Sequence, residues 1–300
     1  MLESILNPKK AGKNPLEVFI ISMIFTLVAV LFSYYLFPDY SSVLSCAFIT
    51  ILFAPFFQHL FSAEEMKEEF AARHKTKRNL FQRHECVIKI YTVYFLGVVV
   101  AMSFLFVFGS GHFNQILFEK QINEVERLSG VDVTGNLIEV QNAGKIFANN
   151  IFVLLITFIL SFLFGSGAIF VLSWNASVIA VYAGALVRLS VAKGVSPYLA
   201  YAYWLPNSLL SISLHGIPEI LGYFFAGLAG GILSVGIIRE KLYSEEMKKV
   251  FFDSTVFLSI SIFSIFIGAF IETGSIMFSV ISFSAYVIFL SFLLYAGVRK

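Results

Sequence analysis

Along this chain apolar residues come in long blocks, separated by short segments that hold most of the charge. The blocks cover residues 18–37, 42–61, 87–108, 151–172, 176–192, a compound stretch 198–238, then 257–271 and 276–298. Crossing the hydrocarbon of a bilayer takes roughly 20 apolar residues of helix, and lipid offers no partner to an unpaired backbone group, so each block predicts a helix. The expected fold is all-α, a polytopic transmembrane bundle of about eight spans. No intervening segment is large enough for a separate soluble domain.

Lys and Arg set the expected orientation. Lys9, Lys10 and Lys13 precede the first block, seven basic residues lie between Lys67 and Lys89, four between Arg239 and Lys249, and Arg299 with Lys300 ends the chain. The long segment 109–145 holds only Lys120, Arg127 and Lys145. Placing it outside leaves both termini in the cytoplasm of a cell-membrane protein. An N-terminal three-span region (1–145), with a cytoplasmic charged helix at 62–89 and an outside loop at 109–145, then precedes a membrane core with a C-terminal span (146–300).

The compound stretch must cross an odd number of times between the outside loop and Arg239. Residues 198–214 therefore read as a broken or re-entrant piece interrupted by Pro206, just before His215. Arg188 and Lys193 then fall outside, against the charge rule. A competing topology has 151–192 crossing only once. The first block ends in Phe37-Pro38-Asp39 without a small-residue cleavage pattern, and reads as a retained signal anchor.

Segment 62–83 opens with Ser62 and Glu65 in a capping-box spacing, acids first and bases last, as a helix dipole favours. Residues 113–128 alternate Phe113, Ile116, Leu117, Ile122 and Val125 with Glu119, Glu124 and Glu126, which suits an interfacial helix.

Composition agrees with this reading. The chain is 58% hydrophobic and 13% charged, and its 21 basic residues nearly balance 19 acidic ones, which excludes nucleic acid as the main partner. Lipid is the expected surrounding, with protein partners or further copies of the chain beside it. Two cysteines, Cys46 and Cys86, expected at opposite ends of their spans, exclude a disulfide scaffold.

Polar side chains inside the blocks are few, and each costs about 2.5 to 3.5 kcal/mol on insertion scales, so each calls for a partner. His215-Gly216-Ile217-Pro218-Glu219 sits between two apolar stretches. There Gly216 frees the backbone to turn, and Pro218 suits the first position of a new helix, with Glu219 in its first turn. Glu272 ends a later block, and the topology puts it level with His215 and Glu219. The three are expected to form one polar site within direct or one-water reach of each other. They are also the candidate ligands should a metal bind. Asn149, Asn150 and Asn175 read as helix-to-helix glue, while Gly165-Ser166-Gly167, and Gly227 with Gly231, read as close-packing positions. Zinc-protease, serine-hydrolase, P-loop and dinucleotide motifs are absent, so no catalytic residue and no cofactor is predicted.

In order along the chain, Asn149-Asn150, Asn175, His215-Gly216-Ile217-Pro218-Glu219, the run Ala226-Gly227-Leu228-Ala229-Gly230-Gly231 and Ala269-Phe270-Ile271-Glu272 resemble the stage II sporulation protein M family of integral membrane proteins. The resemblance covers about residues 145–274. The chain departs from the family pattern at Ala176, usually glycine, and at Thr273, usually alanine. What the resemblance implies is a membrane scaffold, similar in role to the family member that acts with peptidoglycan hydrolases during engulfment. The expected function is thus a non-enzymatic organiser of an envelope-associated complex. A transporter or channel with its polar site at His215, Glu219 and Glu272 is the alternative, followed by an intramembrane metalloenzyme. A deep polar cavity at these residues would favour transport, and closed burial would favour the scaffold.

Overall fold

A computed structural model describes residues 12, 14–73, 80–129, 143–241, 243–274 and 276–296. Lys9, Lys10, Lys13, Lys75, Lys77, Arg78, Arg299 and Lys300, on which much of the expected orientation rests, lie outside these residues. Among the described residues ten α-helices carry the fold: α1 (Pro15–Leu36), α2 (Ser41–Arg73), α3 (Leu80–Phe108), α4 (Gly111–Leu117), α5 (Glu119–Ser129), α6 (Ala143–Phe164), α7 (Ala168–Ala192), α8 (Pro197–Arg239), α9 (Glu245–Thr273) and α10 (Ile276–Ala296). There is no strand among the described residues. Seven helices, α1–α3 and α6–α9, are long and apolar enough to cross a membrane, and α10 adds the apolar stretch Phe278–Leu293.

Successive long helices run antiparallel between two ends of the bundle. One end, here the loop end, holds α4 and α5. Ser41 donates to the Ile116 carbonyl at 3.0 Å, and the Gln121 amide donates to the Ser42 carbonyl at 2.9 Å and to Ser177 Oγ at 3.2 Å. Segment 113–128 is therefore two helices folded onto the bundle, with Leu117 and Phe118 buried, rather than one helix. At the other, basic end, Arg239 reaches the Ser62 carbonyl at 3.5 Å. Here Arg83 of α3 grips Asp253 of α9 through two hydrogen bonds of 2.6 and 3.0 Å.

Three boundaries differ from the sequence expectation, each for a local reason. Ser62 does not begin a helix: α2 continues through Pro55 and Ser62 to Arg73, and α3 takes up the chain at Leu80, so 62–89 is not a separate charged helix. The turn between the fourth and fifth spans lies at residues 165–167, not 173–175, because Gly165 adopts φ +68°, which costs glycine little, and Ser161 holds its carbonyl at 3.1 Å. Asn175 accordingly sits inside α7, and α6 and α7 are two separate helices, each long and apolar enough to cross a membrane.

The third correction concerns α8. It is one continuous helix of 43 residues through Pro206, Gly216 and Pro218, not a re-entrant piece followed by a new start at Pro218. Proline removes one helix hydrogen bond, yet the bilayer leaves the chain no better way to satisfy the rest, so the helix persists. At 1.5 Å per residue α8 is about 64 Å long, roughly twice the hydrocarbon thickness. Its first turns run past the end of α9 and pack on α3, where Tyr201 meets Ser103 Oγ at 2.9 Å. α6, α7 and α8 are three helices each long and apolar enough to cross a membrane, an odd number between segment 109–145 and Arg239.

Arg188 does stand at the loop end, and its guanidinium donates to the carbonyls of Phe106 and Gly109 at 3.1 and 3.3 Å. It satisfies groups left open at the C-terminus of α3 and complements that helix dipole, a local gain that offsets the charge rule.

The core is continuous from the first three helices into the rest. Phe53 and Phe57 of α2, Tyr91 and Tyr94 of α3 and Phe224 of α8 interlock as an aromatic column, with Tyr94 Oη 2.6 Å from Ser173 Oγ of α7. The small-residue run of α8 closes the other side. A methyl group on Gly227 would lie 2.6 Å from Ala168 Cβ, and one on Gly231 would meet the Phe61 ring at 2.7 Å. One on Gly230 would strike the Phe158 carbonyl at 2.5 Å.

The Arg83–Asp253 pair is 10% and 5% exposed, so it is a buried ion pair. Asp253→Ala takes the carboxylate from a buried guanidinium and is expected to destabilise the fold by about 3–5 kcal/mol. Arg83→Met combined with Asp253→Leu should recover most of that loss. Thermal unfolding of the purified variants in detergent measures both effects.

Candidate functional site

Helices α6, α7, α8 and α9 diverge toward the loop end and enclose a cavity of about 470 Å³, with Glu124 and Val125 of α5 also on its wall. His215, Glu219 and Glu272 all line it, together with Asn149, Asn150 and Asn175. Glu272 is exposed at the rim, whereas His215 and Glu219 are half-buried. His215 and Glu219 come from α8, Glu272 from α9, Asn149 and Asn150 from α6, and Asn175, expected at the far end of its span from those two, from α7.

Their bonding differs from the expectation. Glu219 Oε1 accepts from Asn150 Nδ2 at 2.7 Å, and Asn150 Oδ1 accepts from Tyr223 Oη at 3.1 Å. Asn149 makes only a long 3.4 Å contact to Asn150 Oδ1. No direct hydrogen bond joins His215 to either carboxylate among the described residues. Nor do three His, Cys, Asp or Glu side chains among the described residues come close enough to hold a metal ion.

Local sequence explains the arrangement. Glu219 and Tyr223 are four residues apart on α8 and share one face. Asn150, two turns into α6, reaches both from the neighbouring helix. Gly268 of α9 makes room for the carboxylate, since a methyl group there would lie 2.6 Å from Glu219 Cγ and 3.3 Å from the His215 carbonyl. Asn175 donates to the Val171 carbonyl within its own helix at 2.8 Å, so it lines the cavity without tying two helices together. Gly227 and Gly231 lie deeper, in the tight packing below the cavity, while Gly216 and Pro218 occupy the helix beside it.

Sequence reasoning missed Tyr223, Gly268 and Trp174 as parts of this site. The four-residue steps from Glu219 to Tyr223 and from Gly268 to Glu272 were the available signals. Electrostatically, Glu219 and Glu272 face the same space and repel each other. Glu124 is held outside this balance by Arg127, which donates to it from Nε at 2.9 Å. Among the described residues the lining contains no Lys or Arg.

Asn150→Ala removes the donor to Glu219 and the acceptor for Tyr223 together, and a loss of about 1–3 kcal/mol is expected for stranding them. Asn149→Ala should change stability far less. Parallel unfolding curves of the two variants check the contrast.

Neither the comparison with characterised proteins nor that with solved structures gives a match. The family model of stage II sporulation protein M matches residues 18–275, so the likeness extends well beyond residues 145–274 and takes in the first three spans. The helices that form the cavity and those that buttress it fall within one family unit, and this multi-pass membrane chain belongs to the stage II sporulation protein M family.

Proposed function

We propose that this chain is a carrier-type membrane protein that admits a small polar ligand into the α6–α9 cavity from the loop end. The observation that carries this reading is that Glu219 and Glu272 face open space rather than a cationic partner among the described residues. A carboxylate within an apolar span, as at Glu219, is costly. Side chains kept only to fix helix register would be expected to pair and close. These instead border a volume of about 470 Å³, within the range of small-molecule sites. With the basic end in the cytoplasm of a cell membrane, as the charge rule favours, the cavity opens outward. The tight packing of α8 against α6 beneath it, where Ser161 Oγ donates to the Gly227 carbonyl at 2.6 Å, serves as the closed inner side.

A second reading, organiser of an envelope-associated complex, is favoured by the first turns of α8. They extend past α9 and expose Tyr198, Leu199, Tyr203 and Leu210. Such a patch suits a protein partner or another copy of this chain. The metalloenzyme reading gains no support from the side-chain geometry.

Accessibility separates the two readings. With Cys46 and Cys86 replaced, Asn149→Cys and His215→Cys should react with a membrane-impermeant maleimide from one face of sealed vesicles only. Thr157→Cys, at a fully buried position, should not react. Protection of both cavity positions from either face, with loss of co-purifying proteins in Glu219→Ala, would favour the organiser.

A further inference from the structure

A second cavity, of about 390 Å³, lies on the opposite side of α8, between α8, α3 and α7. Its walls are almost wholly apolar, with Phe95, Val99, Leu209 and Phe224 among them. Leu96 and Ile217, which also line it, are 39% and 42% exposed, so this groove opens sideways, onto lipid in a membrane. The polar cavity and the groove share Ile179, Ile212, Gly216 and Ile220. They are neighbours across one seam.

Gly216 is the notable residue of that seam. A methyl group there would meet only Ile212 Cγ1, at 3.9 Å, so no close helix approach requires glycine. Its backbone is helical, and mid-helix glycine is unfavourable relative to alanine. Packing and conformation both leave it unexplained. A passage between the two cavities explains it, because any larger side chain would stand in the opening.

We propose that the two cavities together hold one amphiphile, with an ammonium-bearing head in the polar cavity and a hydrocarbon tail in the groove, entering sideways from lipid past Gly216. This rests on the ligand-binding reading above and names the ligand class. The charge balance selects the head. Glu124 is held by Arg127, and among the described residues no Lys or Arg lies on the wall beside Glu219 and Glu272, so an ammonium group is what lets both keep their charge. Trp174, Tyr182 and Tyr223 supply aromatic surface of the kind that receives such cations. The tail follows from the groove, whose lining is apolar but for Thr92 and Ser213, and each of these hydroxyls is bonded to a carbonyl of its own helix.

The test uses the full chain in phosphatidylcholine nanodiscs and two photoreactive probes with the same chain, a dodecylamine and a dodecanoic acid, each carrying a diazirine at mid-chain. The amine should label peptides containing Thr92, Leu96, Leu209 and Leu221 roughly tenfold more than the acid, the ratio about 1.4 kcal/mol supports. In Glu219→Gln, in Gly216→Leu and in Thr92→Trp, which fills the groove from an exposed position on α3, labelling by the amine should fall to the level of the acid. Melting temperatures confirm that each variant is folded. Equal labelling by both probes, or undiminished labelling in folded Gly216→Leu and Thr92→Trp, overturns the proposal.

A tailless amine tells this failure from that of the ligand-binding reading. In a Trp204→Phe background, Trp174 is the remaining tryptophan. If ethylammonium shifts its emission in a Glu219-dependent way while the long probes label alike, the cavity binds a cation without a tail. If ethylammonium has no effect and the cavity cysteines are also unreactive, the ligand-binding reading falls too.

Discussion

Between Ala226 and Gly231, α8 carries nothing larger than leucine, and three neighbouring helices use the space. The Phe158 carbonyl of α6, the Phe61 ring of α2 and Ala168 of α7 all lie where side chains on the glycines would be. Serines seal the same seam: Ser161 Oγ donates to the Gly227 carbonyl at 2.6 Å and Ser254 Oγ to the Ala229 carbonyl at 2.9 Å. In lipid, where burying apolar surface gives helices no reason to associate, close packing and such bonds supply much of the attraction. The polar cavity depends on this contact. Because the helices are pinned there, they can diverge toward the loop end and leave a space lined by costly side chains.

The site and the seam divide their work along the length of α8. Beyond Gly222, whose carbonyl accepts from Ser261 Oγ at 2.5 Å, every residue of the helix is buried as far as Ile232. Above it, Glu219 and His215 border a cavity, and the first turns of α8 pass beyond the end of α9. One uninterrupted helix thus carries a rigid half and an open half, with Glu219 near the junction. Sites that bind ligands are commonly held at some cost in stability. A carboxylate bonded on one oxygen and facing open space on the other fits that pattern.

Much of this was legible in the sequence. Long apolar blocks have few alternatives to spanning helices, so the all-α bundle followed directly, although seven helices rather than eight are long and apolar enough to cross. The shared level of His215, Glu219 and Glu272 followed from counting crossings. Other features have two physical readings in a written sequence. Glycine serves close packing and turns alike, so Gly165-Ser166-Gly167 was read as packing when Gly165 makes the turn. Proline ends most water-soluble helices, so Pro206 and Pro218 suggested a break that the bilayer does not permit. Charge pairing suggested that His215 would hold a carboxylate, whereas the partner of Glu219 is a neutral amide from a helix 69 residues away in sequence. Asp253, a lone acid after Phe251-Phe252, gave no sign that Arg83 would meet it.

The central claim is that the charge on Glu219 is kept for what enters the cavity and not for holding helices together. Thermal unfolding of Glu219→Gln in nanodiscs tests it most directly, because glutamine preserves the acceptor for Asn150 and the volume beside Gly268 while removing the charge. The account predicts a melting temperature equal to or above that of the parent chain. A clear drop would mean that the charge itself braces the bundle, and would contradict it.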